Sequence, residues 1–298
     1  MPSNPITLEA LEILDSIDRR GSFAKAAEEL NKATSALSYG IQKLEDQLGL
    51  SIFVRQGRRS VLTPAGRLVL EEGRTILAAT ARLADRAIEV ATGWEPRLRV
   101  GLESIVDHRV FFDVLADFQN EHPNLEIDVT ETVLNGGWEA LEQQRVDLVI
   151  GAPGPIPVHK GFRSALMGLS DLVPVIGATH PAAESIRQDT IADFDFSSLQ
   201  AVVSHDTSRT AVARNAGLSL SSTRILHVQT IEQKLEAILA GLGIGHLPRY
   251  RIEEYLLNAR LIVLPLEPSN PECFIAWESS NRGRALNAIA KALASAKW

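Results

Sequence analysis

The sequence predicts an α+β chain in three parts: a small helical head over residues 1–63, a long linker helix over 64–94, and an α/β domain over 95–298. Three observations carry this. In the head, Leu8, Leu11, Leu14 and Ile17 recur at helical spacing, and Leu37, Ile41, Leu44 and Leu48 do so again. Val69, Ile76, Leu83 and Val90 then fall every seven residues, the mark of one long helix with an apolar seam. From Arg97 onward short apolar runs alternate with helical stretches, which is α/β text, and about 200 residues suffice for two small lobes.

The first helix ends at Gly21, and Ser22 is placed to cap a second helix from Phe23 to Leu30. Asn31, Lys32 and Ala33 leave a turn of about three residues before the helix Thr34 to Leu48, which is helix-turn-helix spacing. On that last helix Ser35, Ser38, Tyr39 and Gln42 share one strip opposite the leucines. Solvent faces favour Glu, Lys and Arg, whereas short hydroxyl and amide groups suit base edges in a major groove. A polar face without a partner is the alternative. Gly49 suits the C-cap, and Ser51 to Arg55 and Ser60 to Thr63 read as strands around Gln56, Gly57, Arg58 and Arg59. Such a hairpin is a wing, and Arg55, Arg58 and Arg59 would meet phosphates or a minor groove, unless they simply solvate a turn. The head is thus an all-α winged helix-turn-helix within a chain that is α+β overall.

The run GSFAKAAEELNKATSALSYGIQKLEDQLGLSIFVRQGRRSVLTPAG resembles the DNA-binding segment of LysR-type transcriptional regulators in residue pattern and spacing. The resemblance implies base contacts at Thr34, Ser35, Ser38 and Tyr39 and a backbone or minor-groove contact at Arg55 or its neighbours. Ser22, Lys32, Gln42, Lys43, Arg58 and Arg59 complete the expected DNA-binding set. One departure stands out: the family usually has Arg-Gln after the helix serine, and here Tyr39-Gly40 follows Ser38. Tyr39 can hydrogen-bond a base or phosphate or pack on a thymine methyl. Gly40 costs the helix about 1 kcal/mol relative to alanine, either for closer approach to DNA or as a tolerated surface glycine.

Charge is consistent with placed contacts rather than bulk attraction. Residues 1–66 hold eight Lys or Arg and eight Asp or Glu, residues 67–94 hold four of each, and the whole net charge of -7 lies in 95–298. A neutral head has modest nonspecific affinity for DNA and relies on specific contacts and dimer geometry.

Thr63 is placed to cap the linker helix with Pro64 at its first position. Gly73, Thr80 and Ala87 follow the heptad residues at four-residue intervals, so two such helices could pack closely. A helix packed on its own domain is the alternative. In the resembled family this helix pairs subunits, commonly antiparallel, and dimers often form tetramers, so a homodimer and a homotetramer are expected.

In the α/β domain, Arg97 to Leu102, Leu125 to Thr130, Asp147 to Gly151, Asp171 to Ile176 and Ala201 to Ser204 read as strands. Val110 to His122, Ile231 to Ala240 and Arg284 to Trp298 read as helices. The order LRVGLES, FQNEHPNLEIDVTE, DLVIG, GLGIGHLP resembles the effector domain of the same regulators, which shares the two-lobed architecture of periplasmic solute-binding proteins. It implies lobe I over 95–165 and 266–298 and lobe II over 166–265. Ligands of open α/β sheets collect at the carboxyl ends of strands. That directs attention to Glu103, Ser104, Asn135, Gly136, Trp138, Ala152, Ser204, His205, Gln229, Thr230 and His246 as effector contacts. Amides near Ser104 and Gly136 would take an anionic oxygen and Trp138 would cover a ring. Trp138 as core filler and His246 as a satisfied lobe histidine are the alternatives. The family most often senses small aromatic or organic acids.

Other classes fit less well. The seven histidines form no i, i+4 metal pair with a glutamate between, and the single Cys273 offers no thiolate cluster. Gly217-Leu218-Ser219-Leu220-Ser221 lacks the second glycine of a nucleophile elbow, and Gly241-Leu242-Gly243-Ile244-Gly245 follows a helix with His246 in place of a third dinucleotide-loop glycine. His205-Asp206 has no nucleophile beside it. A hydrolase, or a small-molecule-binding protein without a DNA role, remains the alternative function. The start of the chain has no export signal pattern, and no run reaches the eighteen or so apolar residues of a membrane span. The expectation is a cytoplasmic, ligand-responsive regulator with no cofactor and no metal, whose partners are double-stranded operator DNA, a small-molecule effector, a second copy of itself and RNA polymerase.

Overall fold

A computed structural model describes residues 6–56, 59–187, 195–209 and 224–298. They fall into two compact units, Met1–Ile88 and Glu89–Trp298. In the first, α1 (Leu8–Arg20) is capped by the Thr7 side chain, which accepts from the Ala10 amide, and stops at Gly21 with φ +70°. Helix α2 (Phe23–Glu29) is capped by Ser22, as its position predicts. Helix α3 (Thr34–Leu48) closes at Gly49 with φ +66°. Strands β1 (Phe53–Gln56) and β2 (Arg59–Leu62) form an antiparallel hairpin in which Val54 faces Val61 and Arg55 faces Ser60. The ladder starts two residues later than the sequence suggests. The cause is Glu45 on α3, whose carboxylate accepts from the Ile52 and Phe53 amides at 2.6 and 3.0 Å and holds the chain against the helix there.

Leu14, Leu37, Leu44 and Ile52 are fully buried in this unit, with Ile13, Ile17, Ile41 and Leu70 beside them and Leu48 only half-buried at the margin. Each such side chain contributes about 1.5–3 kcal/mol of transfer free energy. Helix α4 (Pro64–Thr92) begins with the Thr63 hydroxyl accepting from the Gly66 amide at 2.9 Å.

In the second unit the chain runs β3 (Arg97–Glu103), α5 (His108–Glu121), β4 (Glu126–Thr132), α6 (Asn135–Glu142), β5 (Leu148–Pro153) and β6 (Phe162–Leu169). Then come β7 (Leu172–Gly177), α7 (Ala183–Arg187), β8 (Ala201–Ser204), β9 (Ile225–Val228), α8 (Ile231–Leu239), β10 (Ile244–Pro248), α9 (Arg249–Leu257), β11 (Leu261–Val263), β12 (Glu272–Glu278) and α10 (Arg284–Ala294). Two sheets result, ordered β4-β3-β5-β12-β6 and β11-β7-β10-β8-β9. Strands β4, β3 and β5 run parallel, and β12 joins β5 and β6 antiparallel, so the chain returns to the first sheet from the second. Lobe I packs Phe111, Leu115 and Phe118 of α5 and Leu286, Ile289 and Leu293 of α10 over Leu98, Val100, Leu148 and Ile150.

The lobe boundary differs from expectation. All of β6, through Leu169, pairs with β12, so the first crossing lies between Leu169 and Leu172 rather than after residue 165. The return strand begins at Glu272, with Leu264 still hydrogen-bonded to Pro174 of β7, so the second crossing falls between those residues. The glycine run 241–245 forms no phosphate loop. Gly241, at φ +76°, turns the chain out of α8, and a Cβ on Gly243 would stand 2.3 Å from the Gln200 carbonyl oxygen, so close packing of backbone requires it. Among the described residues no helix is long and apolar enough to cross a membrane.

Candidate nucleic-acid interface and effector site

Helix α3 is anchored by Leu37, Ile41 and Leu44, and its opposite face is therefore presented outward. Thr34, Ser35, Ser38, Tyr39, Gln42 and Lys43 are all exposed, Tyr39 at 70%. Ser38 donates to the Thr34 carbonyl at 3.0 Å, which orients one hydroxyl along the helix. An open groove of about 790 Å³ separates this helix from the hairpin, lined by Ser38, Gln42, Glu45, Phe53, Arg55 and Ser60 among others. Phe23 and Phe53, 5.5 Å apart edge to face, form its floor between α2 and the hairpin. Arg55 is exposed on the strand; Arg58 and the Arg59 side chain lie outside the described residues.

Three residues of this face have partners within the head. Lys32 forms an ion pair with Glu9 of α1, so its charge is already engaged. Ser22 uses its hydroxyl as the α2 cap, accepting from the Lys25 amide at 3.3 Å. Gly40 faces inward: a Cβ there would lie 3.1 Å from Ile13 Cδ1, so its smallness serves the approach of α3 to α1 rather than to DNA. Sequence reasoning also missed the pieces that hold the head together. Glu29 takes the Ser16 hydroxyl at 2.6 Å together with Arg19 and Arg20, and Arg74 of α4 bridges Asp15 and Asp18 at 2.6 and 2.9 Å. The Ser16 hydroxyl, then the two guanidiniums, draw the Glu29 carboxyl down to about 2.

Glu103, at the carboxyl end of β3, is 2% exposed; its oxygens accept from the Thr132 hydroxyl at 3.0 Å and the Leu134 amide at 3.1 Å. Burial pushes it up to about 8, which favours the neutral carboxyl over the charged one. The amides expected to receive an anion are occupied: Ser104 donates to the Thr132 carbonyl and Gly136 to that of Val133, both at 3.1 Å. A Cβ on Gly136 would stand 1.7 Å from the Thr207 hydroxyl, so that position is filled by lobe II. Trp138 is core: it is 4% exposed, donates to the Pro153 carbonyl at 2.9 Å and lies 5.4 Å from the Phe162 ring. Ala152 is fully buried in β5. Asn135 opens α6 beside Gly136.

On lobe II, Ser204 is buried at the end of β8 and the His205 ring stacks on His227 at 4.8 Å. Thr230 and Gln233 make a capping box at the start of α8, which also occupies the Gln229 amide, so Thr230 is first of all a cap. His246 is buried, its Nε2 3.4 Å from the Glu267 carbonyl, and burial lowers its basicity. The lobes are joined by the Thr207 hydroxyl accepting from the Val133 amide at 3.0 Å, the Arg209 amide donating to Glu139 at 2.6 Å, and Tyr250 donating to the Val106 carbonyl at 2.5 Å. The strand ends named above therefore converge, but several of their polar groups hold the domain together. Gly217–Ser221, the imperfect nucleophile elbow, lies outside the described residues.

Comparison with known proteins settles the family. A family described as LysR substrate binding domain matches residues 91–296, and one described as bacterial regulatory helix-turn-helix protein, lysR family, matches 8–67. The chain belongs to the LysR family of transcriptional regulators. It is 35% identical over 281 residues to the probable HTH-type transcriptional regulator YhaJ of Escherichia coli strain K12, covering 94% of this chain and 93% of that protein. It is 32% identical over 279 residues to the HTH-type transcriptional regulator PunR of the same strain, covering 93% and 89%. The crystal structure of CbnR, a LysR family transcriptional regulator, shares the fold with a TM-score of 0.62 at 16% identity, covering 97% of this chain and 98% of that one. This LysR-type regulator thus carries a helix-turn-helix DNA-binding head and an effector-binding domain, and nothing supports the hydrolase alternative.

Proposed function

We propose that this regulator reads double-stranded operator DNA with the α3 strip Ser35, Ser38, Tyr39 and Gln42, flanked by Thr34 and Lys43, while Arg55 and the wing arginines Arg58 and Arg59 hold phosphates or a minor groove. The observation that carries the reading is the exposed strip of uncharged hydrogen-bonding side chains on a helix whose other face is locked in the core. Helix α4 pairs two subunits, so two heads engage two half-sites, and pairs of dimers build a tetramer. Ile76, Leu83 and Val90 support this: the last two are 70% and 87% exposed, an unusual run of bare apolar surface for a helix.

The α/β domain binds a small organic effector at the strand ends around Glu103, Ser104, Ser204, His205 and His246. An effector that binds one lobe or subunit arrangement better than another shifts head spacing, and hence operator bending or polymerase contact, by linkage. The protein works in the cytoplasm, where its DNA is. Mobility shift with the DNA upstream of its own gene tests the reading. Sequence-selective retardation is expected, and Tyr39→Ala and Arg55→Ala should each weaken it by about tenfold to a hundredfold, matching roughly 1–3 kcal/mol per contact. Retardation that does not discriminate between this DNA and a scrambled duplex, unaltered in both variants, would overturn it.

A further inference from the structure

The loop that leaves β8 reaches across to lobe I and lies on the segment between β4 and α6 much as an added strand would. The Thr207 amide donates to the Val133 carbonyl at 3.2 Å, and the Thr207 hydroxyl accepts from the Val133 amide at 3.0 Å. The same hydroxyl donates to the Val133 carbonyl at 3.3 Å, so one lobe II residue engages both backbone groups of Val133. Two residues on, the Arg209 amide donates at 2.6 Å to Glu139, a carboxylate of α6 that is 5% exposed. Between these contacts the Asp206 carboxylate accepts from the Ser208 amide at 2.9 Å and shapes the turn.

The receiving side is fitted to Thr207 in two ways. Gly136 leaves the room: a Cβ there would stand 1.7 Å from the Thr207 hydroxyl, 2.8 Å from its Cβ and 3.1 Å from its carbonyl carbon, so side chain and backbone would both have to withdraw. Leu134, between Val133 and α6, has φ +59°, a left-handed conformation that leucine rarely adopts and that persists only where its surroundings hold it. They do so from both sides, Glu103 by accepting the Leu134 amide and Thr207 by fixing Val133. Resting on the effector reading above, we propose that residues 205–209 are an autoinhibitory latch: without ligand Thr207 occupies the cleft at the start of α6, and an effector seated at Glu103 and Ser104 has to displace it. Ligand entry and release of the lobes are then one event, and the strain held at Leu134 favours release.

Hydrogen exchange of the ligand-free full-length protein, resolved to single amides, tests this. In wild type the Val133, Thr207 and Arg209 amides should be protected. Gly136→Ala puts a better helix former in α6 but fills the seat, and Thr207→Val keeps the shape but removes the hydroxyl. Each should speed exchange at Val133 and Arg209 by about tenfold or more. Ser104 and His205, whose amides donate within their own lobes to the Thr132 and Val228 carbonyls, should keep their protection and show that the variant is folded. Either variant serves if the other does not fold. With the latch released and no ligand present, the nuclease footprint on the DNA upstream of its own gene should differ in extent from that of wild type, because the lobes bias the spacing of the heads. Unprotected Val133 and Arg209 in wild type, or rates unchanged in the variants, overturn the latch and leave the effector cleft in place. Faster exchange with an identical footprint makes the contact mere packing and overturns it as well. A wild type that leaves no footprint overturns the operator reading instead, and the latch then stands or falls on exchange alone.

Discussion

Tyr39 illustrates how a residue's neighbours decide its role. Its exposure means little alone, but Leu37 and Ile41 on either side are locked inward, so α3 cannot roll to bury the phenol. Glu45 shows the reverse: an acid in a groove proposed to face DNA looks unfavourable until its two amide partners, Ile52 and Phe53, are seen. Glu45→Ala leaves those amides without an acceptor and should cost about 1–3 kcal/mol, read as a lower chemical-denaturation midpoint, with DNA affinity falling as the wing loosens. An unchanged midpoint would show that the clamp contributes nothing. Glu29 gives a pH signature. Its carboxyl is held at about 2 against an ordinary value near 4.5, so its contribution is complete above the ordinary value and is lost as pH falls toward 2. The stability gap between wild type and Glu29→Gln, measured by denaturant unfolding, should therefore be constant near neutrality and narrow steadily in acid; a gap independent of pH would contradict the assignment. None of these acids was readable as a clamp from sequence, because their partners are up to thirteen residues away and on other elements.

Helix α4 changes character along its length. Near its start Gly73 is buried, and a Cβ there would lie 2.7 Å from Leu11 Cδ2, while Arg74 reaches Asp15 and Asp18; this part belongs to the head. Val69 packs on the same core. The heptad spacing was legible, but spacing does not say which surface a small residue faces, and Gly73 therefore belongs to intrachain packing rather than to a seam between subunits. Gly73→Leu should destabilise the head by about 1–3 kcal/mol by overpacking, whereas Leu83→Asp should leave its unfolding midpoint unchanged and shift sedimentation toward the monomer. A dimer that persists in Leu83→Asp would remove α4 from the interface. By contrast α3 was legible to the residue, Thr34 to Leu48, since an apolar period and a glycine stop coincide there.

For the whole molecule, parallel strands such as β8 were legible because both faces are covered and the text is continuously apolar. Strands β6 and β12 were not: β6 is an edge strand with Leu166 and Leu169 exposed, and it pairs with a strand about a hundred residues later, a long-range match that no local pattern announces. The effector residues were half legible for the same reason. Strand ends could be located, but whether Trp138, Gly136 and Thr230 face a ligand or hold the fold depends on partners from elsewhere in the chain. The neutral head and acidic remainder imply weak nonspecific attraction, so the proposed reading assigns discrimination to α3. The most direct measurement is the affinity of wild type, Tyr39→Ala and Arg55→Ala for operator and scrambled duplexes across a salt series. Tyr39→Ala should narrow the operator-to-scrambled ratio by about tenfold or more at unchanged salt slope, and Arg55→Ala should weaken both duplexes and reduce the slope by about one. A ratio untouched by Tyr39→Ala would contradict the claim that this face of α3 reads the operator.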